Sequence, residues 1–161
     1  MNLKHDIKYK PLAVFLVIPL AVGGLSAFLT RDAMRLFGAV KQPPFSPPEW
    51  LFPVVWTILY ILMGIASYRV WTAGVSIHRR DRALRIYALD LAFNFLWPIF
   101  FFGTELYLFS FFWLFALWLL TLLCVILYRY ISEAAGKLMI PYLVWLSFAG
   151  YLNLGVWLLN R

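Results

Sequence analysis

The sequence predicts an all-α integral membrane protein built as a bundle of five transmembrane helices, and three observations carry that prediction. Hydrophobic residues make up 64% of the chain and charged residues 13%, against roughly 45–50% and about 25% in soluble domains. A chain of 161 residues has too little interior to hide so much apolar surface, so most of it must face lipid. Second, the apolar residues fall into five runs, each close to the about 20 residues that cross a bilayer core of about 30 Å. Third, the runs are continuous, without the alternation of barrel strands, which makes them helices. The whole chain, 1–161, reads as a single membrane domain.

The first run, 11–29, follows Lys4, Lys8 and Lys10 and ends near "GLSAF", which resembles a signal peptide. Its apolar length exceeds the roughly 7–15 residues of a signal core, so it is expected to be a retained helix. Residues 30–49 then form the one loop large enough to act as a lid. Within it, "QPPFSPP" places Pro43, Pro44, Pro47 and Pro48 in six residues. Proline fixes its own φ and biases the preceding residue towards extended geometry, so this stretch is expected to be stiff and non-helical. Ser46 or the turn after it is expected to cap the second helix, 50–71, and Pro53 fits the first turn, where amides lack partners. The third run, 84–102, is joined to the fourth, 106–130, by a link so short that the two helices must be antiparallel neighbours. The fifth run covers 138–159.

The formal charge is +7, and its distribution decides what it means. With five spans, one side of the membrane carries Lys4, Lys8, Lys10, Arg79, Arg80, Arg82, Arg85, Arg129 and Lys137, whereas the other carries Arg31, Arg35, Lys41 and Arg161. Basic residues gathered in loops on one side set topology rather than bind nucleic acid. The expected orientation, for a bacterial cell membrane, is N-terminus inside and C-terminus outside. Cys124 is the only cysteine, and His5 and His78 have no ligand-like spacing to acids or cysteine. No disulfide and no metal site can be read from such a pattern.

Inside the spans the informative residues are polar, small or proline, because helices in lipid gain nothing from burying apolar surface against each other. The third run, "ALDLAFNFLWPIFFFG", holds the densest set. Pro98 lacks an amide hydrogen, which frees the carbonyl of Asn94 and sets it beside the Asn94 side chain. Two readings fit: a kink whose polar groups neighbouring helices satisfy, or a polar anchor in a ligand cavity walled by Trp97. Asp90, one turn nearer the inside, is expected to pair with Arg69 of the second helix, the alternative being proton chemistry at the acid. Phe52, Trp56, Tyr60 and Met63 repeat at helical spacing, as do Trp145, Ala149 and Asn153. Facing each other, these stripes make a pocket with few polar groups, suited to a flat apolar ligand. Ala88 and Ala92 form a small-xxx-small pair, which nominates that face for a homodimer.

Three stretches in order, "PFSPPEWLFPVVWTILYILMGIASYRVW", "NFLWPIFFFG" and "PYLVWLSFAGYLNLGVWLLN", resemble the signatures of the translocator protein family (TspO/MBR), also called tryptophan-rich sensory proteins or peripheral benzodiazepine receptors. The resemblance implies a five-helix bundle, often dimeric, that binds protoporphyrin, haem, sterols and benzodiazepine-type compounds in a pocket beneath the first loop, with no cofactor required. By motif position it implies ligand contacts at Phe45, Pro47, Trp56, Tyr60, Asn94, Trp97, Trp145, Ala149 and Asn153. It implies Trp56 and Trp145 as the pair invoked for light- and oxygen-dependent porphyrin breakdown. Phe45 stands where the family pattern has tryptophan, and Asp90 where glutamine is common. Ten positions separate Tyr151 from Arg161, more than the proposed sterol motif allows, so sterol binding has less support than porphyrin binding.

Three functions follow as expectations: a binding protein for tetrapyrroles or similar flat ligands, a porphyrin-degrading enzyme, and a passive transporter. In the first, Arg31, Arg35 and Lys41 are candidates to meet propionates. For the second, the sequence offers no acid/base pair, nucleophile or metal, so chemistry would rest on ligand excitation and indole oxidation. For the third it shows no coupling-ion site.

Overall fold

The computed structural model describes residues 7–36 and 40–161, except the side chains of residues 35 and 36. Five long helices run through it: α1 Tyr9–Leu36, α2 Leu51–Thr72, α3 Ile77–Pro98, α4 Tyr107–Ile131 and α5 Glu133–Asn160. Each is long and apolar enough to cross a membrane. α1 packs on α2 and α3, α3 on α4, α4 on α5, and α5 back on α2, so the five close into a ring. The antiparallel α3–α4 neighbours expected from their short link are among these contacts. Met63, Val70, Leu114, Leu117, Met139 and Leu146 fill the centre, while Val14, Phe28, Ile58, Phe112 and Val144 point outwards, as lipid-facing positions should.

Two boundaries differ from expectation in ways that matter for the site. α1 continues for two turns past residue 29 to Leu36, so the free loop is shorter than 30–49. Arg31 therefore lies on a helix, with its guanidinium 4.4 Å from the centroid of the Phe28 ring and 3.7 Å from Asp32. At the other end, α3 begins at Ile77, two turns before residue 84, because a basic and polar first turn extends the helix beyond its apolar run.

Pro98 does more than kink α3. Immediately after it, Ile99–Gly103 winds as a π-helix, closed by the Thr104 amide donating to the Ile99 carbonyl at 3.1 Å. A proline removes a donor and crowds the preceding turn, and a locally wider turn relieves both. The widened turn directs Phe101 into the core, where it is 4% exposed.

The proline loop is fastened to α5. Asn160 accepts from the Lys41 amide at 3.1 Å and donates to the Lys41 carbonyl at 2.8 Å. The Tyr151 hydroxyl donates to the Pro44 carbonyl at 2.8 Å. Pro43 is buried against Gly155, where an added Cβ would lie 2.6 Å from the proline ring. Ser46 does not cap α2. Its hydroxyl instead donates to the Pro43 carbonyl at 2.8 Å, closing the loop's own turn, and Trp50 takes the N-cap position without a side-chain cap bond.

Candidate functional site

The inward face of α3 and of the π-helical turn after it presents Tyr87, Asp90, Asn94, Trp97 and Phe101, all buried. Their spacing of three or four residues is one helical stripe. Each polar member needs a partner, since nothing in a bilayer core substitutes for a missing hydrogen bond. The partners come from the surrounding helices, and they define the site.

At its centre is Asn94, 2% exposed. Its Oδ1 accepts from the Tyr60 hydroxyl of α2 at 2.7 Å, and its Nδ2 donates to the Tyr142 hydroxyl of α5 at 2.9 Å. One amide thus ties three helices together. Tyr60 reaches it because α1 carries Gly23 at the crossing: a Cβ there would lie 2.0 Å from the Tyr60 ring. One turn further along α3, the Trp97 indole donates to Asn153 Oδ1 at 3.1 Å, and Ser110 donates to the same oxygen at 3.1 Å. Asn153 Nδ2 in turn donates to the Tyr107 carbonyl at 2.7 Å.

An aromatic wall stands over the Asn94 cluster. The Trp56 ring stacks on Tyr60 with centroids 5.4 Å apart, and meets Tyr142 at 6.1 Å and Trp145 at 6.5 Å edge to face. Phe52 and Phe148 flank Trp145 at 6.0 and 5.6 Å. The Trp145 Nε1 is buried with no hydrogen-bond partner, an orphaned donor on a ring surrounded by other aromatic rings. A buried donor left unpaired costs free energy, so it is a standing preference for an acceptor.

Of the predicted residues, Trp56, Tyr60, Asn94 and Trp145 converge in this cluster. Trp97 and Asn153 form the adjoining one, and Ala149 is buried between them on α5, 6% exposed. Pro47 is half-buried in the loop. Phe45 departs from expectation: at 86% exposure and a φ of 63° it points away from the bundle. The left-handed turn that Ser46 closes turns its ring outwards, and Pro43 is the loop residue that seats on the helices. The expected Asp90–Arg69 pair does not form either. Asp90 is fully buried and Thr121 of α4 donates to it at 2.5 Å, whereas Arg69 is exposed. The Trp56, Tyr60, Tyr142 and Trp145 rings pack against one another at the expected pocket. A groove of about 270 Å³ lies on the outer α4–α5 surface and a larger one, about 640 Å³, where α4 begins and α5 ends; neither is lined by Trp56, Asn94 or Trp145.

Sequence reasoning missed Tyr142, Ser110 and Thr121. Tyr142 was detectable, since it precedes Trp145 by three and so extends the Trp145, Ala149, Asn153 stripe by one turn. Ser110 and Thr121 are single hydroxyls in an apolar run, a pattern common in membrane helices for purely local bonding.

This is a five-helix integral membrane protein with an aromatic, sparsely polar interior. The model of the TspO/MBR family matches residues 15–158, and the chain belongs to that family. It is 35% identical over 150 residues to the tryptophan-rich protein TspO of Chlorobaculum tepidum, covering 92% of this chain and 95% of that one. It is 37% identical over 142 residues to the TspO of Archaeoglobus fulgidus, covering 88% and 91%. Similarity extends to the translocator protein of Bos taurus, 34% identical over 157 residues, covering 94% and 90%.

Proposed function

We propose that this protein is a membrane receptor that binds tetrapyrroles such as protoporphyrin and haem, and other flat apolar molecules, between its helices, with the bilayer as its other partner. The observation that carries the reading is the convergence of Trp56, Tyr60, Tyr142 and Trp145 on the buried Asn94 amide, next to the unpartnered Trp145 indole N–H. Flat apolar molecules are recognised by aromatic walls with a few fixed polar groups, and both are supplied here. Because the rings touch one another, a ligand enters by displacing Trp56 from Trp145 rather than by filling an open void. The loop carrying Pro43 and Pro47 closes the outer end, and Lys41 at its edge is a cation for a ligand carboxylate. The N-terminus lies inside a bacterial cell membrane by the distribution of basic loops. Ala88 and Ala92, exposed on α3, are the contact face of a homodimer.

Titration of the purified protein with protoporphyrin, haem and a benzodiazepine-type compound tests this reading. Saturable quenching of tryptophan fluorescence is expected for at least the tetrapyrroles. Quenching that rises linearly, matching that of detergent containing an unrelated helical membrane protein, would be partitioning and would refute a site.

One observation favours a second reading, in which bound porphyrin is degraded under light and oxygen. Trp56 and Trp145 are two oxidisable indoles in edge contact, placed so that oxidants generated on an excited ligand meet them first. Porphyrin bleaching by the wild type is then expected to exceed that by a Trp56→Phe/Trp145→Phe variant under the same illumination. Equal rates would mean ordinary solution photochemistry.

A further inference from the structure

Asp90 is the one buried acid among the described residues, and the ligand reading leaves it without a role. It is fully buried in the middle of α3. No described cation comes within ion-pair distance: Arg69, Arg85 and Arg129 are exposed on α2, α3 and α4. The groups that face it are uncharged as drawn in every neighbouring helix. They are Tyr60 of α2, Tyr87 of α3, Thr121, Cys124 and Tyr128 of α4, and Tyr142 of α5. The described charged residues of α1 and its approach, Lys8, Lys10, Arg31 and Asp32, lie near its two ends.

Hydrogen counting then separates the two protonation states. Thr121 Oγ1 is 2.5 Å from Asp90 Oδ1 and 3.0 Å from the Leu117 carbonyl, but it has one proton to donate. Asp90 Oδ2 has no hydrogen bond, although the Tyr142 hydroxyl, which accepts from Asn94, lies close to the carboxyl. An ionised carboxylate would draw the Thr121 proton from Leu117 and still leave one charged oxygen bare in a low-dielectric interior, which is strongly disfavoured. A neutral acid keeps both Thr121 bonds and leaves only an uncharged oxygen bare: its O–H donates to Thr121 Oγ1, and Thr121 donates to Leu117. We propose that Asp90 is a proton-binding site within the membrane, held as a neutral carboxylic acid in the closed bundle. It releases its proton when the helices part enough to admit water. On release the carboxyl O–H bond breaks, the proton passes to water, and the carboxylate is stabilised by the water that entered. The site lies one turn from Asn94, so opening of the aromatic cluster and proton release share the same helix. The proposal holds whether or not the interior binds tetrapyrroles.

Infrared spectroscopy of the protein in lipid bilayers at neutral pH tests it. A protonated-carboxyl C=O band that shifts in D₂O is expected in the wild type and absent in Asp90→Asn. Finding no band that Asp90→Asn removes overturns the proposal. Thr121→Val is expected to shift the band to higher frequency by removing its acceptor, and an unshifted band would contradict the assigned bond. Asn reproduces the shape of the neutral acid, so Asp90→Asn folds and keeps its Tm. As pH is raised until the band disappears, the wild type is expected to lose thermal stability while Asp90→Asn does not. Parallel pH dependence in both would contradict proton-linked opening.

Discussion

At the residue scale, Asn94 explains why an amide is set deep in an apolar helix. Its carbonyl oxygen accepts from one tyrosine while its NH₂ donates to another, so a single uncharged side chain serves two helices at once. Replacing it by alanine leaves the Tyr60 and Tyr142 hydroxyls without these bonds in the bundle interior. Asn94→Ala is expected to destabilise the bundle by about 1 kcal/mol, since interhelical hydrogen bonds in membranes average somewhat less than that and here two are lost. Thermal unfolding in bilayers checks this; an unchanged Tm would mean the amide is not holding the helices. Gly23 acts on the same cluster through space alone. A methyl group there meets the Tyr60 ring at 2.0 Å, so Gly23→Ala must push the phenol off Asn94, with an overpacking cost of about 1–3 kcal/mol. A Gly23→Ala/Tyr60→Phe double variant should recover little, because the clash is with ring carbons rather than the hydroxyl. If the double variant is as stable as Tyr60→Phe alone, the close approach at Gly23 is not what sets the ring.

At the scale of elements, the proline loop is a fastened strap, held by Asn160, Tyr151 and the Gly155 seat for Pro43. Asn160→Ala removes both bonds to Lys41 and is expected to raise hydrogen exchange across residues 40–44 by severalfold while leaving α2 and α5 protected. Equal exchange in both proteins would show that the remaining contacts hold the loop alone. The helices themselves were legible because lipid imposes a length and a polarity that composition displays directly, and the facing of Trp56 against Trp145 followed from helical spacing. What was not legible depends on geometry between elements. The outward turn of Phe45 hangs on a left-handed φ at a residue where spacing only signals a stiff loop. Depth alone pairs Asp90 with Arg69, but depth does not say which way a side chain points. The long arginine of α2 reaches the polar surface, and Thr121 was closer. The π-helical turn after Pro98 is likewise invisible to periodicity, since it shifts register over five residues.

For the molecule as a whole, the ring of five helices turns a polar ladder inwards along α3 and an apolar surface outwards, which is the arrangement expected of a receptor for molecules that themselves partition into membranes. Ala88 and Ala92 lie on the outer side of that same helix, so a homodimer through them would place two ladders side by side without covering either site. Ala88→Phe/Ala92→Phe is expected to abolish chemical cross-linking between copies in bilayers while tetrapyrrole affinity stays within about twofold, on the order of 0.4 kcal/mol. Persistent cross-linking would move the interface elsewhere.

If the aromatic cluster around Asn94 is where the ligand sits, protoporphyrin affinity must fall in the Trp56→Phe/Trp145→Phe variant. Phenylalanine keeps the apolar wall but removes the orphaned indole donor and much of the stacking area. The variant is expected to bind at least tenfold more weakly, about 1.4 kcal/mol, measured by the ligand's own fluorescence, with the helical fold unchanged by circular dichroism. Wild-type affinity in the double variant would place the ligand outside this cluster.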